Sequence, residues 1–201
     1  MSLRAKTVAM VLASVATSTL VAQTALPEAR VAHGAGLASK KGPAEDAADD
    51  PPLLATLDQV HTGEYLALDA VSPSQERFDE LLSDRSTGER TSLDPRLLGL
   101  LRQMAEKHPG CRIELVSGYR SWKLNEMLRK KGHHVSSHSQ HSLGHACDFR
   151  IVPPDADEGI DPAVLEVEIR KLGWVGGVGI YPTKADWFVH ADVGRDRRWV
   201  N

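Results

Sequence analysis

Apolar residues gather into short runs from Leu53 onward, and the period of those runs changes along the chain. Residues 54–60 and 65–68 predict two strands, with His61-Thr62-Gly63-Glu64 as the hairpin turn between them. Ser72-Pro73-Ser74-Gln75 predicts a helix start, with Ser72 as N-cap, Pro73 at the first helical position and Gln75 at the third. Phe78, Leu81 and Leu82 then share one face. Asp94-Pro95 opens a second helix with Leu97, Leu98, Leu101 and Met104 inward, and His108-Pro109-Gly110 stops it. Residues 113–116 read as a strand ending at Ser117-Gly118. Ser121 caps a third helix with Leu124, Met127 and Leu128 on its inner face, closed by Gly132. Residues 146–152 form a strand, and Asp161-Pro162 opens a fourth helix that buries Leu165, Ile169 and Leu172 before Gly173. Residues 178–181 and 187–193 are the last strands. Helices and strands mix without a regular βαβ rhythm, which predicts an α+β fold with a small, mainly antiparallel sheet flanked by helices.

The chain before Leu53 follows no such pattern. Arg4 and Lys6 precede an uncharged stretch over residues 7–26, the order of a secretory signal over residues 1–25, with a retained N-terminal membrane anchor as the alternative. Ser14, Thr17, Ser18, Thr19, Gln23 and Thr24 interrupt the stretch and make it a mediocre membrane span. Residues 26–52 are rich in Ala, Gly, Lys, Asp and Pro without apolar periodicity, so they are expected to be a disordered tether. His33 lies within it and is read as solvated. Residues 53–201 are left as one domain, expected to be monomeric.

Composition narrows the function. The 201 residues carry a net charge of -3, so no broad basic footprint exists and nucleic acid is not an expected partner. Two cysteines, Cys111 and Cys147, exclude a disulfide scaffold and a cysteine-rich zinc module, though the two could pair in an oxidising compartment. Six of the nine histidines lie between His133 and His190, and that clustering points to chemistry. His141 precedes a glycine turn, and Asp148 sits in an apolar strand where a carboxylate needs a partner, Arg120 or Arg150 among the choices. In Phe188-Val189-His190-Ala191-Asp192, alternation puts His190 and Asp192 on one strand face. Two imidazoles and a carboxylate are a reasonable catalytic zinc shell, with the fourth position left to water. A hydrogen-bonded polar core without metal uses the same residue types.

The ordered set Ser139-x-His141-x-x-Gly144-x-Ala146-x-Asp148 and Phe188-Val189-His190-x-Asp192 resembles the LAS zinc peptidases. That superfamily includes D-alanyl-D-alanine peptidases, VanX-type dipeptidases, lysostaphin-type endopeptidases and the zinc-binding hedgehog domain. The chain is most similar to the murein endopeptidase K branch, through His61-Thr62-Gly63-Glu64, Asp94-Pro95-Arg96-Leu97-Leu98, Ser117-Gly118-Tyr119-Arg120-Ser121, residues 139–150 and Gly176-Gly177-Val178-Gly179-Ile180-Tyr181-Pro182. The resemblance implies a LAS/hedgehog-type fold and Zn2+ held by His141, Asp148 and His190. It further implies peptidoglycan cross-bridges as substrate, and so a periplasmic or cell-envelope location. It gives Arg120 a role on the substrate carbonyl or a substrate carboxylate, against the plainer reading of an ion pair with Asp148.

Many of these peptidases place an acid three residues before the last ligand. Here that position is Trp187, and Asp186 lies one residue further back. Asp192 is therefore the expected general base, by its strand face, with Asp186 as the alternative. His133 and His134 are read as loop residues and His138 as a cleft-rim residue. An endopeptidase is the expected activity. A D-Ala-D-Ala carboxypeptidase or dipeptidase and a non-catalytic zinc-containing peptidoglycan-binding module are the alternatives.

Overall fold

Alternation along the central strands sorts the side chains onto two faces, and the fold follows from that sorting. The computed structural model describes residues 51–132 and 135–201. The expectations for residues 1–25, most of 26–52, His33, His133 and His134 lie outside the described residues. In chain order the elements are β1 (Ala55–Gln59), β2 (Glu64–Leu68), α1 (Gln75–Leu81), α2 (Pro95–Lys107), β3 (Cys111–Ser117), α3 (Trp122–Lys130), a 3-10 turn (Gln140–Leu143), β4 (Ala146–Val152), α4 (Pro162–Lys171), β5 (Gly177–Tyr181), β6 (Phe188–Asp192) and β7 (Arg197–Val200). The strands form one sheet in the order β2-β1-β3-β4-β6-β5-β7.

One face of this sheet is the core. Leu57, Ile113, Leu115, Cys147, Phe149, Ile151, Val178, Val189 and Ala191 join Phe78 of α1, Leu97, Leu101 and Met104 of α2, and Leu165 and Ile169 of α4 in a single hydrophobic cluster. The residues between them in sequence therefore point to the other face. There Asp58, Arg112, Glu114 and Arg150 form ion pairs across β1, β3 and β4, and Asp148 and His190 continue the polar face. Burial of the apolar set drives the packing, while its alternates are free to do chemistry.

The sheet corrects the expected architecture. It has seven strands and is mixed: β1 runs parallel to β3 and β5 parallel to β7, while the other neighbours are antiparallel. The long connection through α1 and α2 permits the first parallel pair. β7 has no apolar alternation, being exposed except at Trp199, so the sequence pattern missed it.

Three local expectations also change. Ser74, not Ser72, caps α1 and accepts from the Arg77 N–H at 3.2 Å. Ser72 is engaged one turn earlier, where its N–H donates to Asp69 Oδ1 at 2.6 Å. Met127 is exposed, and α3 instead buries Leu124 and Asn125. The Asn125 amide donates to the Ser136 carbonyl at 2.8 Å and so holds Ser136 against the helix. Cys111 and Cys147 are free and buried. In the antiparallel β3/β4 ladder, Arg112 opposes Val152 and Ser117 opposes Asp148, which puts the two thiols at opposite ends. Among the described residues no helix is long and apolar enough to cross a membrane.

Candidate metal centre and cleft

Strand register assembles the centre. Asp148 of β4 and His190 of β6 are directly opposed in an antiparallel pair, so their side chains meet on the polar face. His141 comes in from the 3-10 turn, whose end at Gly144 takes the left-handed conformation (φ 73°). His141 Nε2 lies 3.2 Å from His190 Nδ1 and 3.2 Å from Asp148 Oδ1. Asp148 Oδ1 and His190 Nδ1 are 2.7 Å apart. Two ligands at about 2.0–2.2 Å from a tetrahedral ion stand roughly 3.3 Å apart, so this triangle fits a zinc-sized ion after a slight opening of its short edge. All three residues are buried.

Each donor is oriented from behind. His141 Nδ1–H donates to the Gly118 carbonyl at 2.7 Å, which leaves Nε2 as the electron pair facing the triangle. His190 Nε2–H donates to Asp192 Oδ2 at 2.9 Å, which turns its Nδ1 inward. Arg120 Nη2 donates to the other oxygen of Asp148 at 2.8 Å, and its Nε donates to Ser117 Oγ at 2.9 Å. Of the two partners the sequence left open for Asp148, Arg120 makes the ion pair, and Arg150 pairs with Glu114 instead.

Electrostatics follow from these contacts. Burial, with the Arg120 charge, pushes the His141 imidazole down to about 4, so it is neutral at neutral pH. Burial alone would raise the Asp148 carboxyl, but the two imidazoles hold it well below the usual carboxylate range. Burial would lower His190; its bonds to Asp148 and Asp192 outweigh that and raise it. Asp192 is likewise brought down to about 2, against its burial, by His190, the Gly194 N–H and Arg197.

The geometry runs against Asp192 as a base beside the donor triangle. Its carboxylate is fully buried on the far side of the His190 ring. Arg197 Nη2 at 2.8 Å and the N–H groups of Gly194 (2.8 Å) and Gly177 (3.3 Å) occupy its oxygens. Asp186 is exposed instead, in the turn before β6, where Thr183 Oγ1 donates to it at 3.1 Å.

The glycines of β5 make room for this arrangement. Gly177 and Gly179 oppose Asp192 and His190. A Cβ at Gly177 would overlap the Asp192 carboxylate, and one at Gly179 would overlap the Trp199 indole. Trp199 thus lies against the strand with its ring 5.2 Å from that of His190. Gly118 is equally constrained, because a Cβ there would fall on Leu82, both side chain and carbonyl. That carbonyl already accepts from the Tyr119 N–H at 2.9 Å. Gly118→Ala is therefore expected to cost about 1–3 kcal/mol through overpacking and to displace the carbonyl that orients His141. Calorimetry and zinc titration should show a lower Tm and weaker metal binding in the same variant.

The centre opens into two lobes. The first has a volume of about 770 Å3 and is lined by His141, His190, Tyr181, Trp199, Arg195 and His138 among others. The second, about 220 Å3, is lined by His61, Arg85, Tyr119, Leu124, Leu128 and others. Arg120, Val135, Asp148, Asp186 and Phe188 border both. Because Arg120 and Asp148 border both lobes, the space beside the donor triangle continues into each of them.

Sequence reading found the three donors, Arg120, Asp186 and the rim position of His138, and the structure brings them together around this cleft. It missed Trp199, Arg85 and the cleft-lining role of His61. Trp199 gave no signal because β7 does not alternate. His61 was visible as part of a turn but not as a cleft residue.

Comparison with known proteins agrees in extent. The family model described as "Peptidoglycan L,D-endopeptidase MepK" matches residues 47–199. "Probable peptidoglycan L,D-endopeptidase MepK" of Haemophilus influenzae is 32% identical over 157 residues, 74% of this chain and 79% of that protein. "Peptidoglycan L,D-endopeptidase MepK" of Escherichia coli K12 is 32% identical over 162 residues, 74% of this chain and 80% of that protein. No solved structure matches the chain significantly.

Proposed function

The chain belongs to the peptidoglycan L,D-endopeptidase MepK family of LAS-type peptidases, and we propose that it is an exported zinc endopeptidase that cuts peptide cross-links of peptidoglycan. The observation that carries this reading is a donor triangle of zinc-binding size at the junction of two cleft lobes. An exopeptidase needs one closed end, whereas a cross-link has chain on both sides of the bond that breaks. Residues 1–25 serve as export signal or anchor, residues 26–52 as tether, and residues 53–201 as the catalytic domain.

His141, Asp148 and His190 would hold the ion. Zinc at that position would supply the Lewis acidity that polarises a peptide carbonyl and acidifies a water. The remaining chemistry belongs to the chain itself. The Gly118 carbonyl and Asp192 fix the two imidazoles in their binding tautomers. Arg120 uses Nε and Nη2 to hold Ser117 and Asp148, which leaves Nη1 for the oxygen of the scissile amide. Asp186, on the edge shared by both lobes, takes the proton from the attacking water. Phe188 and Tyr181, stacked at 4.4 Å, wall the cleft and limit water around the reacting bond.

The direct test is incubation of the purified chain with cross-linked peptidoglycan, followed by separation of the muropeptides. Cross-linked species should decline, with their uncross-linked halves accumulating, and a chelator should stop this until zinc is restored. Release of single D-Ala without loss of cross-links would favour a carboxypeptidase, and zinc binding without any product a binding module.

Arg120→Lys should fold and keep one zinc, because Lys can still pair with Asp148. It cannot hold Ser117, Asp148 and a substrate oxygen together, since an ammonium lacks the planar fork. Turnover should fall by roughly 10–100-fold, the usual effect of groups around a metal site. Steady-state kinetics with metal analysis on the same sample checks both halves.

A further inference from the structure

The second lobe has features that cleavage of a peptide bond does not by itself require. Arg85 is exposed at its end, and among the described residues no carboxylate lies within ion-pairing distance of it. Its Nη1 abuts His61 Nε2. The same imidazole nitrogen lies 3.0 Å from the Val116 carbonyl. One nitrogen cannot serve both neighbours. If Nε2 carries the proton it donates to Val116, and Arg85 meets a donor. If it does not, Arg85 is satisfied but two electron pairs face each other at Val116. Burial and the Arg85 charge lower the His61 pKa, so the guanidinium is the cation of this corner.

Arg85 is also held in place. It sits in a turn built around Asp84, which is buried and accepts from Ser86 N–H (2.7 Å), Ser86 Oγ (2.8 Å) and the Ser121 N–H (2.7 Å). The Gly88 N–H closes the turn on the Asp84 carbonyl at 2.7 Å. His61 is fixed by its own N–H on Gln59 Oε1 at 3.0 Å. Val116, Leu124, Leu128 and Phe188 give this lobe apolar surface beside the polar Ser117 and Tyr119, and the lobe shares Arg120, Asp148 and Asp186 with the first. In the first lobe Arg197 is paired with Asp192, while Arg195 is exposed and forms no ion pair among the described residues.

The geometry points to a carboxylate-binding subsite in the second lobe, where Arg85, positioned by His61, pairs with a carboxylate on a short aliphatic stem of the peptide lying across the centre. The carboxylate gives the guanidinium the ionic partner it lacks among the described residues, and the apolar side chains of the lobe take the stem. This assignment rests on the peptidase reading. The carboxylate has two sources, a side chain of the cross-linked peptide or its C-terminus.

The test uses the zinc-loaded full chain and one cross-linked peptide in three forms: free acid, C-terminal amide and side-chain amide. The chain should favour the free acid, and the amide that abolishes the preference identifies the source. Arg85→Gln should raise KM about tenfold on forms that keep the recognised carboxylate, the order expected of one charge-assisted hydrogen bond. It should leave kcat unchanged and have no effect on the form in which that group is amidated. Arg85→Lys should recover part of the loss. Equal kinetics of the Gln variant and the parent on all three forms, or an equal loss on all three, would overturn the subsite. If the parent cuts none of the peptides, the peptidase reading fails, and calorimetric binding of the same intact peptides makes the comparison. Discrimination lost in Arg85→Gln then supports the subsite, and none lost overturns it.

Discussion

His190→Ala is expected to lose bound zinc and peptidase activity together while keeping its fold. His190 supplies one corner of the donor triangle and makes two of its edges, 3.2 Å to His141 Nε2 and 2.7 Å to Asp148 Oδ1. Two donors remain in the variant, and a tetrahedral zinc site with three protein donors does not survive loss of one at ordinary zinc concentrations. The core should tolerate the change, because Val189 and Ala191 carry the packing of β6 and His190 faces the polar side. Metal analysis, circular dichroism and muropeptide digestion of one preparation make the measurement. A folded variant that retains one zinc per chain would sink the ligand assignment.

Binding should also depend on pH in a definite direction. Without metal, two carboxylates, Asp148 at 2.7 Å and Asp192 at 2.9 Å, favour the protonated form of His190 against its burial and raise its pKa. Zinc must displace the Nδ1 proton, so affinity should be weakest below that pKa and strengthen as pH rises through it. His141, already lowered to about 4, adds competition only in stronger acid.

Much of the centre was legible because it obeys strand periodicity. Asp148 interrupts an apolar strand, and a carboxylate there demanded a partner; His190 and Asp192 share a face by simple alternation, and the structure keeps that relation. Which way each of the two points was not legible. Two residues on one face can both reach an ion or stand one behind the other, and register with β5 and β7 decides. Gly177 and Arg197 take up Asp192 and turn it away. The mixed sheet was hidden for a related reason: periodicity reports the faces of a strand but not the direction of its neighbour. Arg85 was invisible as a cleft residue because its place depends on tertiary bonds from Asp84 to Ser86 and Ser121 rather than on a local pattern.

Asp186→Asn and Asp192→Asn should fail in different ways. A proton acceptor for the attacking water must reach it directly or through one further water. We assign that role to Asp186, which is exposed, borders both lobes as Arg120 and Asp148 do, and has the Thr183 hydroxyl as its side-chain partner. Asp192 is not free for it. Its oxygens are taken by an imidazole, a guanidinium and two backbone N–H groups, and a carboxyl held at about 2 is a weak base. Asp186→Asn keeps volume and polarity and removes only the basic oxygen. It should bind one zinc with unchanged affinity and lose roughly 10²–10⁴-fold in kcat, the usual contribution of general-base catalysis. Asp192→Asn should instead weaken zinc by roughly 10–100-fold, the common result of cutting a carboxylate-histidine-metal link, and excess zinc should restore much of its rate. Zinc titration and kcat at saturating metal separate the two. Near-normal turnover in Asp186→Asn, with a zinc-saturated Asp192→Asn protein that stays dead, would return the base to Asp192.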